Sequence, residues 1–180
     1  MRNAIITSAL SVILLMSSRS SLAAPLALEE YTVLAALTLN FARFTQWPEQ
    51  AFVNSGNNLQ VCLAGDNVLM QSFDSISGKA VGNRVIKIIN SDKLRNLNQC
   101  HILFLSELPN NILSQVFLDT KQYPVLTIGE ESDFIGSGGM VAMVNVDGKI
   151  QLHINILAVK SSGLSISSNL LRLAKIVGDN

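Results

Sequence analysis

A mostly parallel α/β sheet with helices on both faces, followed by an antiparallel hairpin near the carboxyl end, is the architecture this sequence predicts. Three observations carry it. Short, almost continuously apolar runs recur at 58–65, 85–90, 100–106 and 123–129, as expected of strands buried on both sides. Helical or turn-rich stretches separate them, and alternation at this spacing favours a parallel sheet. The pattern changes at Asp147-Gly148, a two-residue hairpin signal between two apolar runs covering 139–157. The expected fold is therefore a three-layer α/β/α sandwich of the Rossmann or flavodoxin-like kind, with antiparallel strands extending the sheet.

The elements follow in order. Residues 1–23 have the form of a secretory signal: Arg2 is the positive amino-terminal group and Ala4 to Met16 a mostly apolar stretch. Ser21-Leu22-Ala23 is a small-residue cleavage site. Thirteen residues at about 1.5 Å rise reach roughly 20 Å, short of the roughly 30 Å hydrocarbon core, so a cleaved leader fits better than an anchor. Residues 24–180 then form a single domain, large enough for a real core. A helix is expected from about Leu28 to Phe44, with Leu34, Leu37, Phe41 and Phe44 on one stripe. Tyr31, Ala35, Leu39 and Ala42 mark a second. Pro48 holds the residue before it extended, so the helix ends at or before Trp47. Further helices are expected at 66–77 with Asp66 as its cap, briefly at 91–98, at 110–120 and at 166–177.

Charge narrows the function. Acidic and basic residues number 13 each; without Arg2 and Arg19 the exported chain carries about −2. Neither a basic stripe for nucleic acid nor a polybasic membrane patch is present. Charged residues are 14% of the chain against a usual share of about 25%, which leaves room for a surface meant for a partner.

Cys62 and Cys100 are the two cysteines. An oxidising compartment favours a disulfide between them, with a redox-sensitive bridge and free thiols as alternatives. They lie on or next to the first and third parallel strands, neighbours in a 2-1-3 order, so the bridge is geometrically reasonable. No metal set is evident.

Catalytic motifs are missing. Residues 135–140, IGSGGM, place a serine among glycines but lead into a strand, unlike a nucleophile elbow. Gly136, Gly138 and Gly139 could form an anion nest that shares a ligand crevice with Asp66, although a plain crossing turn explains them as well. Glu130, Glu131 and Asp133 lie near strand carboxyl ends, where capping and solvation account for them. His101 and Cys100 point to opposite faces if extended, so they do not form a couple. His153 is expected to be a hydrogen-bonded structural residue, with pH sensing as the rival role. No cofactor is implied.

The motif LNFARFTQWP (39–48) resembles the start of the YfiR/HmsC-like family of periplasmic proteins. An aliphatic helix there ends in N-F-x-x-F-x-x-W-P, here Asn40, Phe41, Phe44, Trp47 and Pro48. The likeness continues through VCLAGD (61–66), CHILFLS (100–106), VLTIGEESDFIGSGGMVAMV (125–144) and KIQLHINILAVKSSGLSISSNLLRLA (149–174), the last containing Asn155. The resemblance implies a non-enzymatic repressor of an inner-membrane GGDEF diguanylate cyclase, bound to its periplasmic sensor domain, lowering cyclic di-GMP and biofilm. It further implies sequestration by an outer-membrane OmpA-like lipoprotein. The other reading is a periplasmic small-ligand-binding module serving another membrane sensor, such as a histidine kinase. Cys62 and Cys100 match one cysteine pair of the YfiR branch. A second pair near the glycine-rich segment is absent here, which weighs toward a structural bridge. The partner or homodimer surface is expected on an exposed stripe of Tyr31 and Leu39 with neighbouring Arg43.

Overall fold

The computed structural model describes residues 23–65 and 67–178. The expected leader, apart from its last residue, and Asp66 lie outside them. Helix α1 (Ala23–Phe44) runs into a two-residue strand, β1 (Thr45–Gln46), and a 3₁₀ turn at Glu49–Phe52. Next come β2 (Asn58–Ala64), α2 (Asn67–Phe73), β3 (Ala80–Val81), β4 (Arg84–Asn90), β5 (Ile102–Leu105), α3 (Asn110–Thr120) and β6 (Leu126–Gly129). The hairpin β7 (Val141–Val146) and β8 (Lys149–Asn155) precedes α4 (Ile156–Ser161), β9 (Ser165–Ile166), α5 (Ser168–Leu171) and β10 (Lys175–Val177).

Eight strands form one sheet in the order β10-β8-β7-β6-β5-β2-β4-β3. Its centre, β4 through β7, is parallel, while β7–β8 and β3–β4 are antiparallel. Alternation along β2 divides the core into two layers, because successive side chains leave opposite faces. Val61 and Leu63 pack with Leu34 and Phe41 of α1 and with Leu69 and Phe73 of α2. Cys62 and Ala64 face Leu113 and Val116 of α3. The α/β architecture, the 2-1-3 strand order and the Asp147-Gly148 hairpin are as the sequence predicts. Asp147 and Gly148 both have positive φ, which a tight two-residue turn between twisted strands demands. Cys62 and Cys100 are joined, with Cα atoms 5.8 Å apart, within the usual bridging range of about 4.4–6.8 Å.

The corner after α1 is built around His101. Its Nδ1 accepts the Gln60 N–H at 3.0 Å, and its Nε2 lies 3.1 Å from the Ala51 carbonyl. A backbone N–H can only donate and a carbonyl only accept, so the ring is neutral with its proton on Nε2. Burial lowers its pKa to about 4, assisted by the nearby Arg84 charge and opposed by the Ala51 bond. Phe52 stacks on the imidazole at 4.4 Å between centroids, and the Arg84 guanidinium lies over the Phe52 ring at 3.4 Å from its centroid. Trp47 meets both rings edge-on and donates its indole N–H to the His101 carbonyl at 3.2 Å. Pro48 starts the 3₁₀ turn, its carbonyl accepting from Ala51 at 2.9 Å.

Several expectations fail for identifiable reasons. The helix expected at 166–177 is only the single turn α5, because 175–177 instead extends the sheet as β10, parallel to β8. Leu170 is buried there, whereas Leu173 is 74% exposed, so the two do not share one buried helical face. The strand expected to reach 157 ends at Asn155, whose side chain accepts from Ala158 N at 3.0 Å and starts α4. The brief helix at 91–98 is a turn ending in a 3₁₀ segment at Leu97–Gln99. Leu94 and Asn96 have left-handed φ, and Asn90 binds Asp92 twice.

On α1, Tyr31 is 8% exposed and belongs to the inward face with Leu34, Ala35, Thr38, Phe41 and Ala42, so it is not on an exposed stripe. Leu39 is half-buried against the core, whereas Phe44, expected to pack inward, is 39% exposed. The inward stripe admits polar residues because their hydroxyls find partners. Thr38 bonds the Leu34 carbonyl at 2.8 Å and Tyr31 reaches Ser106.

Candidate functional site: the carboxyl-end crevice and the outer face of the first helix

Strands β2 and β5 are adjacent, yet the chain leaves β2 toward β4 on the other side. Their carboxyl ends therefore flank the switch point where open α/β sheets leave a crevice. Gly65 follows β2 there, and a Cβ on it would press against Leu69 and Ser106. Ser106 follows β5, Glu130 follows β6, and Tyr31 arrives from α1. Ser106 Oγ donates to Glu130 Oε1. With that proton committed, Tyr31 donates its phenolic hydrogen to Ser106 Oγ at 3.0 Å. The three groups form a relay across elements 75 and 24 residues apart.

Glu130 has its pKa raised to about 7, chiefly by burial; the Ser106 bond opposes this, and Glu107, Glu30 and Glu131 add to it. The four glutamates and Tyr31 line a cavity of about 420 Å³. Glu30 also accepts from Asn145 of β7 at 2.7 Å, tying α1 to the hairpin. Among the described residues no group of His, Cys, Asp or Glu is arranged to hold a metal ion. His101 does not serve Ser106 as a base, because its two nitrogens are both engaged in the Trp47 corner.

The raised value has a stability consequence of definite sign. Folded Glu130 keeps a proton that the unfolded chain releases above about 4.5, so its contribution is complete below that pH. It is lost as pH rises through about 7. Glu130→Gln, neutral throughout, is expected to match the parent near pH 4.5. At pH 8 it should exceed the parent by roughly 2 kcal/mol, or about 4–8 °C in Tm, after allowance for partial exposure. Thermal melts of both proteins across this range test it; a gap that does not widen with pH removes the burial explanation.

The other expected site residues separate. The glycine-rich turn closes around Phe134: Cβ atoms on Gly129 and Gly139 would overlap opposite edges of that buried ring, while Asp66, the other expected member of the crevice, lies outside the described residues. The backbone N–H groups of Ser137, Gly138 and Gly139 are spent on the Asp133, Ile135 and Phe134 carbonyls, respectively, within the turn. They are not free to cradle an anion. Gly136 stands in the same turn, exposed. Arg43 is exposed on the outer face of α1, between half-buried Asn40 and exposed Phe44. Val33, 45% exposed, continues that face toward a groove of about 650 Å³ shared with the β7–β8 hairpin. Sequence reasoning missed Ser106 and the role of Tyr31; a polar residue on an apolar helical stripe was the available signal.

Fold and site together define an α/β domain built on a mixed eight-stranded sheet, parallel at its centre, with a crevice at its carboxyl end. The YfiR/HmsC-like family model matches residues 31–175, and the chain belongs to that family. Its members are periplasmic regulators rather than enzymes, and membership suggests a regulator of a diguanylate cyclase acting through the cyclase's membrane sensor. Among the described residues no helix is long and apolar enough to cross a membrane.

Proposed function

We propose that this protein is exported by a leader cleaved after Ala23 and represses an inner-membrane GGDEF diguanylate cyclase by binding its periplasmic sensor region. Cyclic di-GMP and biofilm formation fall as a result. The family match over most of the chain is the observation that carries this reading. The surface that fits the role is the outer face of α1, where Val33 is exposed at the hairpin groove and Arg43 and Phe44 are exposed at the carboxyl end of the helix. Repression needs only higher affinity for the inactive state of the target, which a face of mixed apolar and charged side chains can supply without catalytic groups. The same face serves a homodimer, and an outer-membrane OmpA-like lipoprotein that competes for the protein relieves repression by mass action.

Deletion of the gene is expected to raise cellular cyclic di-GMP, and deletion in a strain lacking the target cyclase to leave it unchanged. A double variant, Val33→Asp with Arg43→Glu, should fold normally and reproduce the deletion. Cyclic di-GMP that stays at its parental level in the deletion strain would overturn the reading.

A further inference from the structure

At the opposite end of the sheet, by the amino-terminal ends of β5 and β6, lies a second cavity of about 520 Å³. Its size falls within the range of roughly 300–1,000 Å³ usual for small-molecule sites. Six amide side chains line it: Gln50, Asn54, Gln60, Asn98, Gln99 and Gln122. They arrive from four places in the chain, the 3₁₀ turn after Pro48, β2, the segment before Cys100 and the end of α3. Among the described residues, none of the six side-chain amides hydrogen-bonds another group of the protein. No charged side chain lines the cavity. Tyr123, 41% exposed and followed by Pro124, supplies an aromatic wall.

This lining selects among ligand chemistries. An anion or cation would leave water without a counter-charge, at a cost of several kcal/mol. An apolar ligand would cover amides and leave them unpaired, at about 1–3 kcal/mol for each group so buried. Each amide presents two N–H donors and a carbonyl acceptor, a two-way pattern that matches hydroxyl groups, which also donate and accept. An open tyrosine face suits a flat patch of C–H groups. An extended peptide is the competing neutral ligand, but its usual receptor is a sheet edge or a hydrophobic groove. The strands beside this cavity, β2, β5 and β6, are all interior to the sheet.

We propose that this cavity binds a neutral oligosaccharide, with Tyr123 as the platform and the amide side chains as its hydrogen-bonding rim. The cavity stands apart from the α1 face and from the Glu130 crevice, so the proposal does not depend on the cyclase reading. A glycan built on N-acetylated sugars and one built on plain glucose share this chemistry, and the probes separate them.

The purified protein is titrated with chitotriose in its N-acetylated form and, separately, with maltotriose. Backbone and side-chain amide signals are followed by NMR, with affinity from calorimetry. One of the two sugars is expected to give saturable shifts at the Asn98, Gln99 and Gln122 side-chain amides. Tyr123→Ala should weaken binding about tenfold, and Gln122→Ala about three- to tenfold, in line with the loss of one stacking or hydrogen-bonding contact. All of these positions except Gln60 sit on turns or helix ends, and an unchanged Tm for each variant shows that the fold is intact. Three results would each overturn the proposal. They are no saturable shift with either sugar at about 20 mM, binding unaffected by Tyr123→Ala, and equal binding of a neutral Ser/Asn peptide.

Discussion

Phe41→Ala is expected to cost the domain about 3–5 kcal/mol, the range for truncating a fully buried aromatic. Phe41 is completely enclosed between α1 and the sheet, in one core with Leu34, Leu63 and Phe104. Loss of the ring leaves a cavity that surrounding strands, held by parallel ladders on both sides, have little freedom to close. Three residues later, Phe44→Ala should cost under about 1 kcal/mol, because over a third of that side chain is already in water. Chemical denaturation of both variants measures the contrast. Cyclic di-GMP levels then test the other half of it: Phe44→Ala should weaken repression while barely changing stability. If both variants lose the same stability, the assignment of inner and outer faces of α1 is wrong.

Removing the disulfide is the second large effect. Cys62 and Cys100 are both buried, and their bond closes a loop with a sequence separation of 38. On the chain-entropy account, a loop of this length restricts the unfolded state by about 4 kcal/mol. The double variant Cys62→Ser/Cys100→Ser is therefore expected to melt roughly 8–16 °C below the oxidised parent. The reduced parent should fall by a similar amount. A Tm within about 2 °C of the parent would show that the strand pairing of β2 with β5 holds these positions unaided. In the family reading, such a result would also return the bond to the role of a redox-sensitive element.

Local chemistry was enough for many elements. Helix α3 spans Asn110–Thr120 as its pattern indicates, and the hairpin turns at Asp147-Gly148. The run Val61–Ala64 alternates so that one set of side chains meets α1 and α2 and the other meets α3. Where expectations failed, a distant partner overrode local preference. Residues 175–177 have helical company, but the open edge of β8 offers a ladder of backbone partners, and they become β10. Tyr31 looks like an outward residue by composition, and is turned inward by a hydroxyl 75 positions away.

The candidate site was legible only in fragments. Glu130 and Glu131 could be placed after a strand, hence near the carboxyl-end crevice, and Arg43 is exposed on its helix as expected. Ser106 could not be singled out, because its meaning comes from Tyr31 and Glu130 on other elements. The glycine-rich turn was visible, but not the ring of Phe134 that occupies it.

For this protein, sequence by itself determined the parallel α/β class, the hairpin at Asp147-Gly148 and the family motif ending in Trp47-Pro48. Each depends on periodicity, turn residues or spacing carried within a few tens of residues. Tertiary structure alone decided which face of α1 is exposed and why His101 stays neutral. It also brought Glu130 under the Tyr31–Ser106 pair and gathered six amides around one cavity. Those outcomes are set by burial and by hydrogen-bond partners far apart in the chain, which no local pattern encodes.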